Sequence, residues 1–283
     1  MSKKTKQKIV TFSLIIAVLA LSAVGTLAYF KDTDSAKNTF TVGNVKIELI
    51  EQQRELDEYG KATIDGALVD FTQDKVLMPI VGSAQGDKDK NGLPKAANYV
   101  DKIATVKNTG KSNALVRFYF AIPSALDDGF ETFNAGKNVL HFNFGNKDGV
   151  STYNNTWDWG ANWKYFETTI DGVAYNVYFA NYKEVLAPNA TTTQAIQGVY
   201  LDKSFDVQTN AQTNKDEYFA FGAKLDGIEP MLDTNGNLVV NCPVYAIAVQ
   251  ADGFDVNDAD AAFDAAYGAQ FNPWGGTVTN YRQ

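Results

Sequence analysis

The stretch Trp-Lys-Tyr-Phe-Glu-Thr-Thr-Ile-Asp-Gly-Val-Ala-Tyr-Asn-Val-Tyr-Phe-Ala-Asn-Tyr, residues 163–182, is the strongest indication of the fold. Its two halves, residues 163–170 and 173–182, are rich in aromatic and β-branched side chains, which favour strands. Asp171-Gly172 joins them, and an Asp-Gly pair between two such runs is typical of a two-residue hairpin turn. The stretch therefore predicts an antiparallel β-hairpin.

Similar runs occur on both sides of this hairpin and are separated by turn-forming residues. They lie at residues 99–107, 115–122, 191–199, 217–225 and 238–250. About ten short strands spaced in this way predict an all-β fold, a β-sandwich of jelly-roll type with loop insertions. Pro79 favours an edge strand or a connector for the segment around it, because proline lacks the amide that a central strand needs.

Residues 39–49 alternate between polar and apolar side chains, and the phase of the alternation changes at Gly43-Asn44. The apolar positions are Phe40, Val42, Val45, Ile47 and Leu49. A phase change at such a pair is typical of a β-bulge or bend within one strand.

One segment after the strands has helical spacing. Residues 255–267 begin with acidic side chains, which suit a helix N-terminus, and are followed by Gly268. Their apolar positions fall on one side and would pack on the sheets; they are Ala259, Ala262, Phe263, Ala266 and Tyr267.

The first 28 residues have the composition of an export signal. Four lysines precede an apolar run from residue 9 to residue 28, and Thr26 and Ala28 supply the small side chains that signal peptidase requires before the cleaved bond. We predict a signal peptide at 1–28, an extended segment and first strand at 29–50 beginning with Tyr29, and a sandwich domain at 51–283. The alternative is an uncleaved membrane anchor, since about 20 apolar residues suffice to cross a bilayer.

Charge and cysteine content narrow the classes of function. The chain carries a formal charge of −8, which becomes −12 without the four lysines of residues 1–28. Nucleic acids and anionic membrane surfaces require basic patches, so we expect neither as a partner once the signal is removed. Cys242 is the only cysteine, so no intramolecular disulfide forms, and its apolar surroundings predict a buried thiol.

The junction after residue 24 carries a family resemblance. Gly25-Thr26-Leu27-Ala28-Tyr29-Phe30, followed by Asp32-Thr33-Asp34-Ser35-Ala36, Asn38-Thr39-Phe40 and Val42-Gly43-Asn44-Val45, resembles the start of the TasA/camelysin proteins. Later segments are also similar to that family: residues 106–110 with 115–118, 185–193, and 249–254. The resemblance implies cleavage by a SipW-type signal peptidase, a sandwich fold, and assembly into extracellular fibres in which the new N-terminus takes part.

The resulting hypothesis is a secreted, non-enzymatic structural protein, a subunit of an extracellular matrix or surface fibre of the biofilm type. Its partners would be the signal peptidase and further copies or other matrix proteins, with the membrane involved only before cleavage. The predicted assembly positions, which can add to an open sheet edge, are Phe30, Phe40, Val42, Val45, Ile47 and Leu49. In the alternative, residues 39–49 form the first strand of their own sandwich, and only residues 29–38 are exchanged.

Catalytic signals are sparse. Camelysin has been classed as a metalloendopeptidase, but a helical zinc-protease motif needs two histidines one turn apart and His141 is the only histidine. A Ser-His-Asp triad would have to use His141, because the sequence has no other histidine, and no Gly-x-Ser-x-Gly motif occurs. We therefore predict no enzymatic activity and a structural role for His141. A camelysin-like metallopeptidase remains the second alternative function.

Two further segments suggest ligands. Asp87, Asp89 and Asn91 alternate with lysines before Gly92, which matches the first half of a calcium-binding loop, although Asn98 replaces the glutamate expected at the twelfth position. We expect either a bound Ca²⁺ on these three residues or a hydrophilic turn without a cofactor.

Trp157 and Trp159 lie among Asn and Gly residues and predict a sugar-stacking platform if their faces are exposed. This is the basis of the first alternative function, a secreted carbohydrate-binding module. In the opposing interpretation, the tryptophans are buried and pin a long loop to the sandwich.

Overall fold

The structure is a computed structural model in which antiparallel β-sheets dominate. It describes residues 31–35, 38–41, 45–72, 75, 77–129, 138–144, 156–159, 163–234 and 236–283. These residues form fifteen strands in three sheets and one α-helix, together with short 3₁₀ turns. The predicted all-β sandwich with one C-terminal helix is confirmed.

The largest sheet contains seven strands. They are β1 (Lys31–Ser35), β2 (Asn38–Thr41), β6 (Ala114–Pro123), β8 (Lys164–Ile170), β9 (Val173–Asn181), β14 (Val244–Gln250) and β15 (Thr279–Arg282). Their order across the sheet is β15-β8-β9-β6-β14-β1-β2. The strands from the two ends of the described chain therefore lie at opposite edges.

Two smaller sheets complete the β structure. The five-stranded sheet has the order β4-β3-β5-β10-β7, with β3 (Ile47–Arg54), β4 (Leu68–Asp70), β5 (Val100–Asn108), β7 (Leu140–Phe144) and β10 (Ile196–Leu201). A three-stranded sheet contains β11 (Asp206–Asn210), β12 (Lys215–Ala220) and β13 (Ala223–Lys224) in sequence order.

The main core lies between the seven-stranded and five-stranded sheets. Alternate residues of β6 point into it, including Val116, Phe118 and Phe120, all wholly buried. The other face of β6, with Leu115 and Tyr119, belongs to a second apolar cluster on the outside of the seven-stranded sheet. Burial on both faces explains why β6 is an almost continuous apolar run instead of an alternating one.

The α-helix of the described residues, α1 (Ala259–Tyr267), covers that outer face. Ala259, Ala262, Phe263 and Ala266 are buried against the sheet, as the spacing predicted. The residues just before it form a 3₁₀ turn, Val256–Asp258, so the α-helix begins later than residue 255. The molecule therefore has three layers over its centre: five-stranded sheet, seven-stranded sheet and helix.

The predicted hairpin at residues 163–182 is confirmed as β8 and β9. Its register runs from the Lys164–Phe179 pair to the Ile170–Val173 pair. Asp171 has φ 49° and Gly172 has φ 85°, so both turn residues are left-handed, as a primed hairpin turn requires.

Four strand predictions were wrong in extent. The strand predicted at 191–199 begins at Ile196, and residues 217–225 are divided between β12 and β13. Residues 39–49 do not form one bulged strand: β2 ends at Thr41 in the seven-stranded sheet, and β3 begins at Ile47 in the five-stranded sheet. The phase of the alternation changes because the chain passes from one sheet to the other between Thr41 and Ile47. A bulge within one strand would change the phase in the same way. Of residues 238–250, only Val244–Gln250 form a strand.

A glycine allows a close approach between two strands of the five-stranded sheet. The register of β10 shifts between Ile196 and Gly198 against both neighbouring strands. A Cβ on Gly198 would lie 2.4 Å from the Val100 carbonyl oxygen and 2.7 Å from ring carbons of Tyr99. The ring of Tyr99 therefore packs over a position that cannot carry a side chain.

Candidate functional site

The strongest candidate for the predicted assembly segment is the edge formed by β1, β2 and β14. β1 pairs with β14 in antiparallel register, from Lys31 opposite Val249 to Asp34 opposite Ala246. β2 pairs with β1 on the other side and is the last strand of the sheet. The segment that follows the predicted cleavage point thus occupies an edge of its own domain.

β1 and β14 differ sharply in composition. β1 reads Lys-Asp-Thr-Asp-Ser, whereas β14 reads Val-Tyr-Ala-Ile-Ala-Val-Gln. Ala246, Ile247, Ala248 and Val249 are at most 1% exposed, with alternate residues belonging to the two apolar clusters. Without β1, the main-chain groups along one side of a buried apolar strand would have no strand partner, and such an edge pairs readily with another chain.

The predicted assembly residues divide into three groups. Val45 and Ile47 are wholly buried in the main core and Leu49 packs against it, which agrees with the alternative that this part belongs to its own sandwich. Phe40 lies in β2, of which the backbone is described. The other predicted residues lie outside the described part of the chain: Thr26, Ala28, Tyr29, Phe30 and Val42.

The calcium-like loop is bound by a cation of the protein itself, Arg54 at the end of β3. Asp89 Oδ2 accepts a hydrogen bond from Arg54 Nη1 at 3.0 Å, and Asp89 Oδ1 accepts from the backbone amides of Asn91 and Leu93 at 2.8 and 3.0 Å. The pKa of Asp89 is lowered because these bonds and the Arg54 charge outweigh the effect of burial.

The remaining part of this network joins the loop to the five-stranded sheet. Asp101 binds Arg54 through both carboxylate oxygens, with 2.8 Å to Nε and 2.7 Å to Nη2. Asn91 Nδ2 donates to the carbonyl of Gly66 at 2.9 Å. Asp89 and Asn91 thus have protein partners; a Ca²⁺ ion on Asp87, Asp89 and Asn91 would have to displace those of Asp89 and Asn91.

Trp157 and Trp159 are buried, so the predicted sugar-stacking platform is wrong for this conformation. Their exposed fractions are 0% and 5%, and their rings contact Phe118 edge-on. Trp157 Nε1 donates to the Thr193 carbonyl at 3.2 Å, and Trp159 Nε1 donates to the Ala195 carbonyl at 2.9 Å. They pin their segment to the core, as the opposing interpretation expected.

His141 and Cys242 have the surroundings of structural residues. The His141 ring stacks on Tyr200 with centroids 4.9 Å apart, and its Nε2 lies 3.3 Å from Asp202 Oδ2. Cys242 is half-buried against the main core instead of wholly buried as predicted, and burial of the sulfur raises the pKa of its thiol to about 12. The Cys242 thiol is therefore not set up as a nucleophile at neutral pH.

A polar cluster that no sequence pattern indicated lies between the seven-stranded sheet and α1. Arg117 from β6, Asn181 from β9 and Lys164 from β8 all contact one carboxylate, Asp260 of α1. The Arg117 guanidinium also lies over the rings of Phe179 and Phe263, at 5.0 and 4.4 Å. We call Arg117, Lys164, Asn181 and Asp260 the helix-side cluster.

Burial alone would raise the pKa of Asp260, but the hydrogen bonds from Lys164 and Asn181 and the charges of Lys164 and Arg117 lower it. The Asp260 side chain is 34% exposed. The helix-side cluster borders a cleft whose other lining residues include Asp158, Tyr182 and Asn257.

A second polar group that the sequence did not reveal surrounds Asp127. Its Oδ2 accepts hydrogen bonds from Tyr178 Oη at 2.6 Å and Asn176 Nδ2 at 2.7 Å. Its Oδ1 is buried and has no hydrogen-bond partner among the described residues. Burial is the main reason that the pKa of Asp127 is raised.

Other features bear on function more weakly. Among the described residues, no group of three or more His, Cys, Asp or Glu side chains is placed to hold a metal ion. None of the helices in those residues is long and apolar enough to cross a bilayer. Comparison of the chain with protein-family models, with curated proteins and with solved structures finds no match.

Proposed function

We propose that the protein is an exported, non-enzymatic structural subunit that assembles into an extracellular matrix or surface fibre by exchanging its N-terminal strand. The main support is the position of β1, which lies between the buried strand β14 and the edge strand β2. The signal-like residues 1–28 support export and cleavage by a SipW-type signal peptidase, which would place β1 close to the new N-terminus at Tyr29.

The composition of β1 suits an exchangeable strand. Its five residues are all polar, so its attachment to β14 depends on main-chain hydrogen bonds more than on a large apolar anchor. Another copy of the chain can supply the same hydrogen bonds in the same register. The exchange therefore changes the partner of β14 without changing the contacts that β14 makes.

Exchange of this kind leads naturally to a polymer. A copy that donates β1 to its neighbour keeps its own β14 edge free for the β1 of a third copy. This contact is head-to-tail, and head-to-tail contacts that do not close into a ring produce filaments. After removal of the four lysines of residues 1–28 the formal charge is −12, which disfavours non-specific association, so the paired edge would direct assembly.

The test compares protein that starts at Tyr29 with protein that starts at Thr39 and therefore lacks β1. We expect the first to form sedimentable filaments on prolonged incubation and the second to remain unpolymerised. The second protein should bind a synthetic peptide of residues 29–41, measured by fluorescence anisotropy, whereas a peptide of the same composition in scrambled order should not bind. Equal polymerisation of both proteins, or a Tyr29 protein that stays monomeric, contradicts the proposal.

A further inference from the structure

The helix-side cluster contains a lysine and an asparagine that share one carboxylate. Lys164 Nζ lies 2.5 Å from each oxygen of Asp260, and Asn181 Nδ2 lies 2.6 Å from Asp260 Oδ1. Lys164 and Asn181 are on neighbouring strands, with Lys164 opposite Phe179 in the register. The amine and the amide are thus held next to each other on one face of the sheet, bridged by an acid.

We propose that this cluster is a self-modification site, at which Lys164 and Asn181 form an intramolecular isopeptide bond with Asp260 as the proton carrier. The modification needs no cofactor or second protein, because all the reacting groups belong to this chain. It is independent of the strand exchange proposed above.

The reaction is an amide exchange that releases ammonia. Asp260 takes a proton from the Lys164 ammonium, and the free amine attacks Cγ of Asn181. The new C–N bond forms, the bond from Cγ to Nδ2 breaks, and Asp260 passes protons from the attacking nitrogen to the leaving one. One hydrogen stays on the new amide and ammonium departs, so Asp260 ends as the carboxylate it was at the start, and nothing is oxidised or reduced.

Arg117 is placed to activate the amide. Its Nε donates to Asn181 Oδ1 at 2.8 Å, so a positive group already points at the oxygen that gains negative charge when Cγ is attacked. The Arg117 side chain is 2% exposed and sandwiched between aromatic rings, which fixes its orientation. Because it touches the reacting amide, Arg117 acts as an oxyanion-stabilising residue.

The backbone holds the electrophile in place. Asn181 lies opposite Arg117 in the pairing of β9 with β6. The backbone N–H of Asn181 donates to Asp158 Oδ1 at 2.6 Å, and the backbone carbonyl of Asn181 accepts from the backbone N–H of Asp158 at 3.0 Å. Asp158 Oδ2 also lies 2.9 Å from Lys164 Nζ, which orients the amine from the other side. A reaction between groups fixed this way needs no encounter step.

The cleft beside the cluster provides a route for the product. Asp260 is one-third exposed and lines the cleft, so ammonium can leave to solvent. The lowered pKa of Asp260 makes the first proton transfer unfavourable. We therefore expect the bond to accumulate slowly after folding, which is acceptable for a reaction that each molecule performs once.

The proposal is tested by intact-mass and peptide mass spectrometry on the purified protein after prolonged incubation at neutral pH. The expected result is a mass lower than the sequence mass by one ammonia molecule, and a proteolytic fragment in which Lys164 is joined to Asn181. Lys164→Arg and Asn181→Ala should restore the full mass. Asp260→Asn should also have the full sequence mass, although it keeps both Lys164 and Asn181.

Lys183→Arg is the matched control, since Lys183 lines the same cleft but, within the described residues, forms no ion pair with Asp260, and it should keep the ammonia loss. The unfolded protein, incubated in guanidinium chloride, should keep its full mass. A folded wild-type protein whose mass does not change overturns the proposal. So does loss of water instead of ammonia, because that would join Lys164 to an aspartate.

Discussion

Two networks of buried charge hold covering elements onto opposite sides of the sandwich, and they are built differently. In the first, Arg54 binds Asp89 and Asp101, and all three side chains are at most 2% exposed. In the helix-side cluster, the buried Arg117 shares Asp260 with Lys164, and Asp260 is 34% exposed. The first network is closed, whereas the second opens into a cleft.

The two networks are suited to different roles. Each guanidinium nitrogen of Arg54 donates to a fixed acceptor, including the Pro94 carbonyl at 3.1 Å from Nη1, so the network is suited to holding one arrangement. The helix-side cluster instead places an amine and an amide on the same acid, with access to solvent. A closed network specifies one position for a loop, while an open one can also carry chemistry.

The largest expected effect comes from removing the cation of the closed network. Arg54→Ala leaves Asp89 and Asp101 buried without a positive partner, and breaking a buried pair in this way costs about 3–5 kcal/mol of unfolding free energy. Arg117→Ala should cost less, about 2 kcal/mol, because Asp260 keeps Lys164 and access to water. Urea unfolding of both variants measures the difference.

Lys102→Ala provides the control for the larger effect. Lys102 lies next to Asp101 on the same strand and pairs with Glu51 at 2.7 Å, and the two side chains keep 10% and 15% of their surface exposed, more than those of the Arg54 network. Lys102→Ala should lower the free energy of unfolding by much less than Arg54→Ala does. If Arg54→Ala and Arg117→Ala lose equal amounts of unfolding free energy, the exclusion of solvent from a network does not determine how much that network stabilises the fold.

Asp127→Asn tests a buried carboxylate that has no arginine beside it. Because burial raises its folded pKa above the ordinary value of 3.8, protonated Asp127 is favoured by folding. That contribution is complete below the unfolded pKa and is lost as pH rises through the folded pKa. The free energy of unfolding of Asp127→Asn, measured relative to that of the wild type, should therefore be higher at pH 7 than at pH 4.

Chemical denaturation at the two pH values is the appropriate measurement. A difference in unfolding free energy that is the same at both would show that Asp127 does not change its protonation with folding. Asn keeps a carbonyl oxygen for the bonds from Tyr178 and Asn176, so the comparison is not dominated by their loss.

The smallest effect is expected for the ion pair in the three-stranded sheet. Lys224 Nζ lies 2.8 Å from Glu217, but the lysine side chain is 53% exposed. Solvent screens such a pair, so Lys224→Gln should leave the thermal midpoint unchanged within experimental error. A clear drop would mean that an exposed pair behaves like the buried networks.

The sequence predicted what short-range signals determine. The Asp171-Gly172 turn and the apolar side of α1 both follow from residues within one turn or one helix. It did not predict that residues 39–49 pass from one sheet to the other, because a phase change at Gly43-Asn44 is equally compatible with a bulge.

Neither network could be predicted, because their members are far apart in the chain. Arg117 and Asp260 are separated by 143 positions and Arg54 and Asp101 by 47. Asp89 resembles a calcium ligand by its spacing, and only the fold shows that an arginine reaches it. For Trp157 and Trp159, neighbouring Asn and Gly residues suggested exposure, but the tertiary packing of aromatic rings decided otherwise.

The two boundaries of the seven-stranded sheet have a practical consequence for labelling. β15 ends at Arg282 and lies at the opposite boundary from β2. A fluorescent reporter or affinity tag attached after β15 would be separated from β1 by four strands of the sheet and would leave β1 unobstructed. A tag attached at Tyr29, the proposed new N-terminus, would be carried directly beside the strand whose movement one wants to observe.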